Sequence, residues 1–313
     1  MPSSQIDFSL THSGTITHPF SYVEEDTFGT MVTSPTLTAT KVTQELKPRI
    51  DNNEMDVRQI GGHLLYGMQS GGHTYGFSTM VHPFDLPFLK YGTEPPNYDT
   101  PAGTSAKSLS FAFKYKQSVG TMGMNTYNQK FLGFKPNTTE ISVASNGLVE
   151  ASMDWLGREI PIPVAGDISG STWPTFASIT SPVLSNVDAG NKPLTIGGTA
   201  YAIGDFKINW NNNLIVKQYI GSGLADAIVV GAIEITGSFT TPYGQSLALE
   251  TAIHDFPQTG VAASLVVKTG VMHINMTNFK LMSDAPTGFD AGPTDVAEHP
   301  FTFKCSTASL GTS

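Results

Sequence analysis

The segment SLSFAFKYK, Ser108–Lys116, carries the clearest secondary-structure signal in the chain. Its large apolar residues alternate with small or polar ones, so Leu109, Phe111, Phe113 and Tyr115 share one side. Alternation with a period of two predicts a β-strand with one buried face and one solvent-facing face, which is typical of an antiparallel sheet.

Similar segments recur on both sides of this strand. VEASMDW, Val149–Trp155, alternates in the same way, and it predicts that Trp155 is buried. Further predicted strands are TEISVAS, AIVVGAIEITGSFTT, SLVVKTG, VMHINMTNFKLM and FTFKCS. Only HPFDLPFLKYG and TPYGQSLALETAIHDF favour short helices, and Pro87 weakens the first. The sequence therefore predicts an all-β protein with minor α content.

The composition excludes several classes of protein. Of 313 residues, 39% are hydrophobic and 14% charged, which is incompatible with a disordered chain. No apolar run reaches the roughly 20 residues of a membrane span, and the start MPSSQIDFSLTHSG lacks the basic and apolar regions of a signal peptide. A soluble, assembled or cytosolic product is the class that this composition favours.

Charge and cysteine content narrow the choice further. The net charge of −9 argues against a protein that grips nucleic acid through its phosphates, but it is compatible with a surface past which nucleic acid moves. The single cysteine, Cys305, excludes an internal disulfide and all-cysteine zinc or iron–sulfur sites. Packing alone is expected to hold the fold together.

No arrangement of residues predicts catalysis or metal binding. The chain has eight histidines, but His63 and His73 follow Gly-Gly pairs without the spacing of a metal motif. GDISGS, Gly166–Ser171, has the wrong spacing for a nucleophile elbow, and neither a phosphate-binding loop nor a dinucleotide fingerprint occurs. We therefore expect no enzyme activity, no metal and no cofactor.

The two halves of the chain repeat one another loosely. NEMDVRQIGG, Asn53–Gly62, aligns with NLIVKQYIGS, Asn213–Ser222, at an offset near 160 residues with a one-residue slip. In each half a Gly-rich turn, a strand, a short helix and further strands follow in the same order. The alternative is a chance similarity among generic β elements. Pro161–Pro193, rich in Gly, Ser, Thr and Pro, is interpreted as the connection.

Several segments resemble a known family. SYVEEDTFGTMVTSPT (Ser21–Thr36), FLGFKPNTTEISVASNGLVEASMDWLG (Phe131–Gly157) and FKINWNNNLIVKQYIGSGLADAIVVGAIEITGSFTT (Phe206–Thr241) are similar to the tail tube proteins (major tail proteins) of tailed bacteriophages and related archaeal viruses. The resemblance covers roughly residues 20–305. It implies a β-sandwich with a small flanking helix and no catalytic residues.

The resemblance also implies a function, a location and partners. Such sandwiches close into rings, with their sheets forming a β-barrel, and the rings stack into a hollow tube that conducts the viral DNA into the host. The protein would be made in the host cytoplasm and would end in the virion tail. Its partners would be copies of itself, the tape measure, terminator and baseplate proteins, and passing double-stranded DNA without specific binding.

The internal repeat predicts the domain organisation and the ring. We expect an N-terminal arm (1–36), a first sandwich (37–164), a connection (165–194) and a second sandwich (195–313). Because the family commonly uses six single sandwiches per ring, two sandwiches per chain predict a trimer with pseudo-sixfold symmetry. A true hexamer is the alternative if the second half instead decorates the outside of one sandwich.

Three groups of residues are candidates for assembly. Two loops, Ile50–Gly62 and Asn209–Gly223, are expected to mediate stacking between rings through Ile50, Asp51, Asn52, Asn53, Gly61, Gly62, Asn211, Asn212, Asn213, Gly221 and Gly223. The lumen wall is expected to include Glu150, Asp154 and Glu234. The arm is expected to cross a neighbouring subunit through Ile6, Phe8, Leu10 and Phe28.

Two other functions remain open at this point. A tail terminator or a baseplate hub protein would share the same sandwich. A carbohydrate-binding or adhesion module would need exposed aromatic rings, for which Trp173 is the one candidate, since Trp155 and Trp210 lie in predicted strands.

Overall fold

A computed structural model describes most of the chain. The described residues are 15–58, 65–93, 108–118, 124–145, 148–175, 192–219, 223–242, 249, 260–282 and 298–312. These residues form mostly β-strands and one helix, α1, as the alternating sequence patterns predict. In this part of the chain, no helix is both long enough and apolar enough to cross a bilayer.

Eight strands and the helix come from the first half of the chain. In order they are β1 (Thr15–Glu24), β2 (Thr38–Ala39), β3 (Val42–Arg58), β4 (Leu65–Val81), α1 (Leu86–Thr93), β5 (Leu109–Ser118), β6 (Met124–Val143), β7 (Val149–Gly157) and β8 (Val164–Ala165). The predicted first helix is therefore confirmed. Pro87 is tolerated because it lies in the first turn, where its missing N–H has no intrahelical partner.

The second half contributes ten strands. They are β9 (Leu194–Ile196), β10 (Thr199–Tyr201), β11 (Phe206–Asn211), β12 (Ile215–Lys217), β13 (Ala227–Val229), β14 (Glu234–Pro242), β15 (Val261–Lys268), β16 (Met272–Met282), β17 (Glu298–Cys305) and β18 (Thr307–Gly311). Most of the second predicted helix, 241–256, lies outside the described residues. Its first two positions end β14, and Leu249 is helical.

One antiparallel sheet runs through both halves, and we call it the main sheet. Its strand order is β3-β4-β7-β6-β11-β14-β17-β16. The pairing of β6 with β11, from Thr138–Asn211 to Val143–Phe206, is the described strand pairing that joins the halves. Four strands of each half therefore lie side by side in one surface.

A smaller layer covers each half of the main sheet. The first has the order β2-β1-β5-β6-β8, and the second has the order β10-β9-β15-β16-β18. The long strands β6 and β16 each belong to two layers, and each contains a residue with positive φ, Gly133 (71°) and Asn278 (49°). At Gly133 a Cβ atom would meet the Arg158 side chain at 2.8 Å, so this position requires glycine.

The same order of strand pairings occurs in both halves. In the first half β1 pairs with β5, β5 with β6, β6 with β7, β7 with β4, and β4 with β3. In the second half β9 pairs with β15, β15 with β16, β16 with β17, β17 with β14, and β14 with β11. The short strands show the same correspondence. β2 and β10 each extend an outer layer, β8 pairs with β6, and β18 pairs with β16.

Aromatic side chains fill the space between the layers. Trp155 and Trp210 are 0% and 1% exposed, so their predicted burial is confirmed. In the first half Trp155 stacks on Phe77 and Phe88, with ring centroids 5.8 and 5.5 Å away. The second half is filled in the same manner by a separate set of rings, Phe206, Phe239, Phe279, Phe301 and Phe303.

Two expectations about the first half were wrong. Ser110 and Ala112 of β5, predicted to face solvent, are both 0% exposed, because the N-terminal half of this strand is covered on both sides. Residues 15–36, placed by sequence in an arm, belong instead to the fold of their own chain. There β1 pairs with β5 from Thr15–Lys116 to Glu24–Leu109, which puts Phe20 and Tyr22 against the core.

Candidate assembly surfaces

The outer face of the main sheet brings the three predicted wall residues together. Asp154 lies opposite Thr138, which lies opposite Asn211, which lies opposite Glu234. Glu150 lies on the same face, opposite Ser142. The alternate residues on these strands are buried, so this face is the polar side of the sheet.

The charges on this face are paired rather than uniformly acidic. Arg49 donates two hydrogen bonds to Asp154, at 2.5 and 2.9 Å. Two other ion pairs follow across the strands, Lys207–Glu140 and Lys304–Glu234, each at 2.8 Å. Among the strand residues whose burial the structure describes, the face carries the cations Lys47, Arg49, Lys207, Lys280 and Lys304 and the carboxylates Glu140, Glu150, Asp154 and Glu234. Among these side chains the carboxylates do not outnumber the cations.

The first predicted stacking segment is a strand rather than a loop. β3 runs through Ile50, Asp51, Asn52 and Asn53 to Arg58, with a register shift between Asn52 and Glu54, so the expected loop was wrong there. β7 pairs only with the part of β4 from Tyr75 to Val81. The distal parts of β3 and β4 therefore extend beyond the main sheet as a two-stranded ribbon. Gly61 and Gly62 lie outside the described residues.

The second predicted stacking segment is anchored by asparagines. Asn212 is 1% exposed, and its Nδ2 donates to the Pro136 carbonyl at 2.9 Å. Asn213 adopts a positive φ of 44° and donates from Nδ2 to the Ala232 carbonyl, while its N–H donates to Asn211 Oδ1. Asn212 and Asn213 thus fix the start of the β12–β13 hairpin, which gives them a structural role that sequence reasoning missed.

The structure brings the two stacking segments into contact. The backbone N–H of His73 in β4 donates to the carbonyl of Gly223 at 3.1 Å, and Gln218 Nε2 donates to the carbonyl of His73 at 2.9 Å. Gly221 lies outside the described residues. The ribbon and the β12–β13 hairpin therefore meet on one side of the molecule, although Gln218 and His73 are 145 residues apart in sequence.

The residues predicted for the arm divide into two groups. Ile6, Phe8 and Leu10 lie outside the described residues. Phe28 contacts its own chain: its carbonyl accepts a hydrogen bond from Arg158 Nη1 at 3.2 Å, and the Lys135 ammonium lies 6.0 Å from its ring centroid.

A buried carboxylate beside Phe28 is the main feature that sequence reasoning missed. Glu25, 5% exposed, accepts hydrogen bonds from the backbone N–H groups of Gly29 and Gly133, both at 2.8 Å. It also accepts bonds from the hydroxyls of Ser108 and Ser110 on β5. The serines at alternate positions of SLSFAFKYK were the available signal, because two hydroxyls on one face of a strand can serve one buried acceptor.

Lys135 is 3% exposed and lies within electrostatic range of this carboxylate. Its Nζ donates to the carbonyl of Ile228 at 2.9 Å, which ties β6 to β13. Burial lowers the pKa of Lys135 from 10.5 to about 8, although the negative charge of Glu25 opposes this shift. The buried ammonium is therefore held at the expense of folding stability near neutral pH.

Replacement of Lys135 by Met is expected to remove a pH dependence. Between pH 8 and 10.5 the unfolded lysine binds its proton while the folded lysine has lost it, so the wild-type free energy of unfolding gains stability from this group as pH rises. The free energy of unfolding of wild type minus that of Lys135→Met, measured by urea unfolding from pH 7.5 to 10, should increase steadily with pH. Lys47→Met, at an exposed position, is the control. A difference that stays constant over this range would show that burial does not perturb Lys135.

The other sequence candidates have ordinary structural partners. Asp167, in GDISGS, pairs with Lys114 at 2.6 Å and accepts a bond from Trp173 Nε1 at 3.0 Å. Trp173 also packs on His18, with ring centroids 5.3 Å apart, so its ring is not a free platform. Within the described residues, no group of three or more His, Cys, Asp or Glu side chains could hold a metal ion.

These features together define a class of protein. The molecule is an all-β protein whose conspicuous surfaces are a sheet with a polar, charge-paired face and a projecting ribbon. A model of the phage tail tube protein family matches residues 16–305, nearly the whole chain. The chain therefore belongs to the phage tail tube protein family, and it is a structural component of the viral tail. A comparison with curated proteins found no match to this chain.

Proposed function

We propose that the protein polymerises into stacked rings that form the hollow tail tube through which viral DNA passes into the host. The observation that carries this proposal is the main sheet, in which eight strands from both halves present one polar face and in which the end strand β3 pairs with β4 as its strand partner among the described residues. The backbone N–H and C=O groups at an exposed sheet edge can pair with a strand of another chain, and closure of the sheet into a barrel removes such edges.

We also propose that the chain contains two tube units in tandem, one in residues 37–164 together with β1, which the repeated order requires, and one in residues 195–313. The repeated order of strand pairings supports this division. So does the offset, because pairing places Lys47 opposite Ser78 in one half and Lys207 opposite Ser238 in the other, each 160 positions apart. The sequence repeat has the same offset.

Strand number favours three chains in each ring. Three chains would contribute 24 strands, eight from each. With strands about 4.8 Å apart and tilted by about 40°, such a barrel has a backbone diameter of roughly 50 Å. Barrels of about 16–18 strands already leave an aqueous channel. Six chains would double the diameter, which is more than a single duplex needs.

The polar face of the main sheet is proposed to line the channel, with Glu150, Asp154 and Glu234 on the wall. Since Asp154 and Glu234 pair with cations of the same face, the wall offers phosphates neither a lysine-rich patch to bind nor a strong repulsion. Duplex could then pass without adhering. The acidic wall suggested by the composition is replaced by a charge-balanced one.

The ribbon of β3 and β4, with the β12–β13 hairpin beside it, is proposed to contact the next ring. An isolated pair of strands is only marginally stable in water. A neighbouring ring would cover both elements. Membership of the family also supports two further parts of the proposal. The tube would contact the tape measure, terminator and baseplate proteins, and the protein would be made in the host cytoplasm before its incorporation into the virion.

Purified protein should assemble into tubes of uniform width with three chains per ring. Mass measurement of isolated rings together with symmetry analysis of electron micrographs of the tubes tests this. Sixfold symmetry with one chain per asymmetric unit would contradict the trimer, and discrete monomers under all conditions would contradict the tube and favour a terminator, a hub or an adhesion module. The same tubes should not retain duplex DNA in a co-sedimentation assay at physiological salt.

A further inference from the structure

Where β7 ends, the loop of the β12–β13 hairpin takes its place beside β4. β7 pairs with β4 from Val81 to Tyr75, and no described strand continues on that side of β4. At His73 the backbone N–H donates to the Gly223 carbonyl at 3.1 Å, and the backbone carbonyl accepts from Gln218 Nε2 at 2.9 Å. Both backbone groups of His73 therefore point away from β3, and the hairpin satisfies them instead of a strand.

One side of this hairpin is fixed to the body of the protein. Ala225 and Ile228 are 1% and 2% exposed, and the Ile228 carbonyl accepts a hydrogen bond from Lys135 Nζ at 2.9 Å. Lys135 lies opposite Leu156, the last residue but one of β7. The hairpin therefore packs at the end of β7, where it contacts both β4 and β6.

The sequence repeat aligns the hairpin with the ribbon, but the two segments take different courses. β3 runs as one strand from Val42 to Arg58, whereas the corresponding strand of the second half stops at Asn211 and resumes as β12 at Ile215. Asn213, with a φ of 44°, lies in the break. Asparagine adopts positive φ more readily than most residues. The chain changes direction there, and the hairpin packs against its own chain.

We propose that the β12–β13 hairpin is an internal support that holds the ribbon in the orientation in which it contacts the next ring. This inference rests on the proposed stacking of rings and gives the hairpin a separate part in it. An isolated pair of strands is marginally stable in water, and an open strand edge can pair with a wrong chain. The hydrogen bonds at His73 reduce both risks, because they tie β4 to a packed element before assembly.

The two sides of the hairpin can be tested separately. Ile215 lies opposite Val229, and their side chains are 55% and 38% exposed, whereas the neighbouring Ile228 is buried. Successive residues of a strand point to opposite sides. The side with Ile228 therefore faces the body of the protein, and the side with Val229 is available to the neighbouring ring in the proposed tube.

Amide hydrogen exchange of the dilute, unassembled subunit tests the support. Ile228→Ser removes the packing that fixes the hairpin, so the amide of His73 should exchange at least about tenfold faster than in wild type. The amides of β14 and β17 should exchange as in wild type. Val229→Ser, one residue further along β13 on the exposed side, is the matched control and should leave the His73 exchange rate unchanged.

Tube formation tests the consequence for assembly. Ile228→Ser should raise the protein concentration at which tubes appear, and Ile228→Leu, which keeps the buried volume, should form tubes at the wild-type concentration. Gln218→Ala removes the donor to the His73 carbonyl and should increase the exchange rate at His73 about two- to tenfold. This variant decides the question if Ile228→Ser does not fold.

Two results would overturn the inference. One is a wild-type exchange rate at His73 in both Ile228→Ser and Gln218→Ala, because the hairpin would then not hold the ribbon. The other is unchanged tube formation by a variant in which His73 exchanges rapidly, because the position of the ribbon would then not matter for stacking. If the unmodified protein forms no tubes, the proposed function fails, and the exchange rates still show whether the hairpin holds the ribbon.

Discussion

Replacement of Glu25 by Ala should lower the free energy of unfolding by about 3–5 kcal/mol, because it leaves two backbone N–H groups and two serine hydroxyls without their buried acceptor. Glu25 accepts two backbone N–H groups, from Gly29 and Gly133, and two serine hydroxyls. Its negative charge also supports the buried Lys135. Urea unfolding of the dilute, unassembled subunit, followed by tryptophan fluorescence, measures the loss.

Two variants separate the causes. Asp26→Ala removes a neighbouring exposed carboxylate and should change stability little. Glu25→Gln keeps the size and one acceptor oxygen but removes the charge, so its loss should lie between those of the other two. An alanine variant as stable as wild type would show that the Glu25 hydrogen bonds do not hold β1, β5 and β6 together.

Replacement of Trp155 by Ala is the second change with a large expected effect. Trp155 is 0% exposed and touches Phe77, Phe88 and Phe111, whose ring centroids lie 5.0–5.8 Å away. Removing a buried indole leaves a cavity between the main sheet, β5 and α1. Losses for such substitutions are about 3–5 kcal/mol. Urea unfolding at neutral pH, followed by far-ultraviolet circular dichroism, measures the change.

Trp155→Phe is the matched control. The indole Nε1 of Trp155 has no hydrogen-bond partner among the described residues, so phenylalanine gives up some packing but removes a buried unpaired donor. We expect a loss well below that of Trp155→Ala. Trp173→Ala, at a half-buried position outside the core, should also be mild. A Trp155→Ala loss no larger than that of Trp173→Ala would contradict the central packing role of Trp155.

Local patterns predicted most of the strands. In β7 the alternation of VEASMDW matches burial closely, with Val149, Ala151, Met153 and Trp155 buried. The reason is that this strand lies in the main sheet, which packs on one face and leaves the other open. The same condition holds for β14 and β17, and their predicted strands are confirmed as well.

Sequence reasoning failed where distant segments meet. Ser110 was predicted to face solvent because it is polar, but its hydroxyl donates a hydrogen bond to the buried Glu25, 85 residues away in sequence. Ile50–Arg58 looked like a loop because it is rich in Asn and charge, but β4 pairs with it and makes a strand. Asn212 looked like part of a stacking loop, but its side-chain amide donates a hydrogen bond to the Pro136 carbonyl. In each case a long-range hydrogen bond overrode local preference.

From its sequence alone the chain was bound to be a β protein without an internal disulfide, because alternation, composition and cysteine count are local properties. Only the tertiary structure decided that four strands from each half join in one sheet, that carboxylates and cations pair on its polar face, and that Glu25 and Lys135 are buried. Those outcomes depend on which segments meet in space, and hydrogen bonding and desolvation across such long separations leave little trace in any short stretch of sequence.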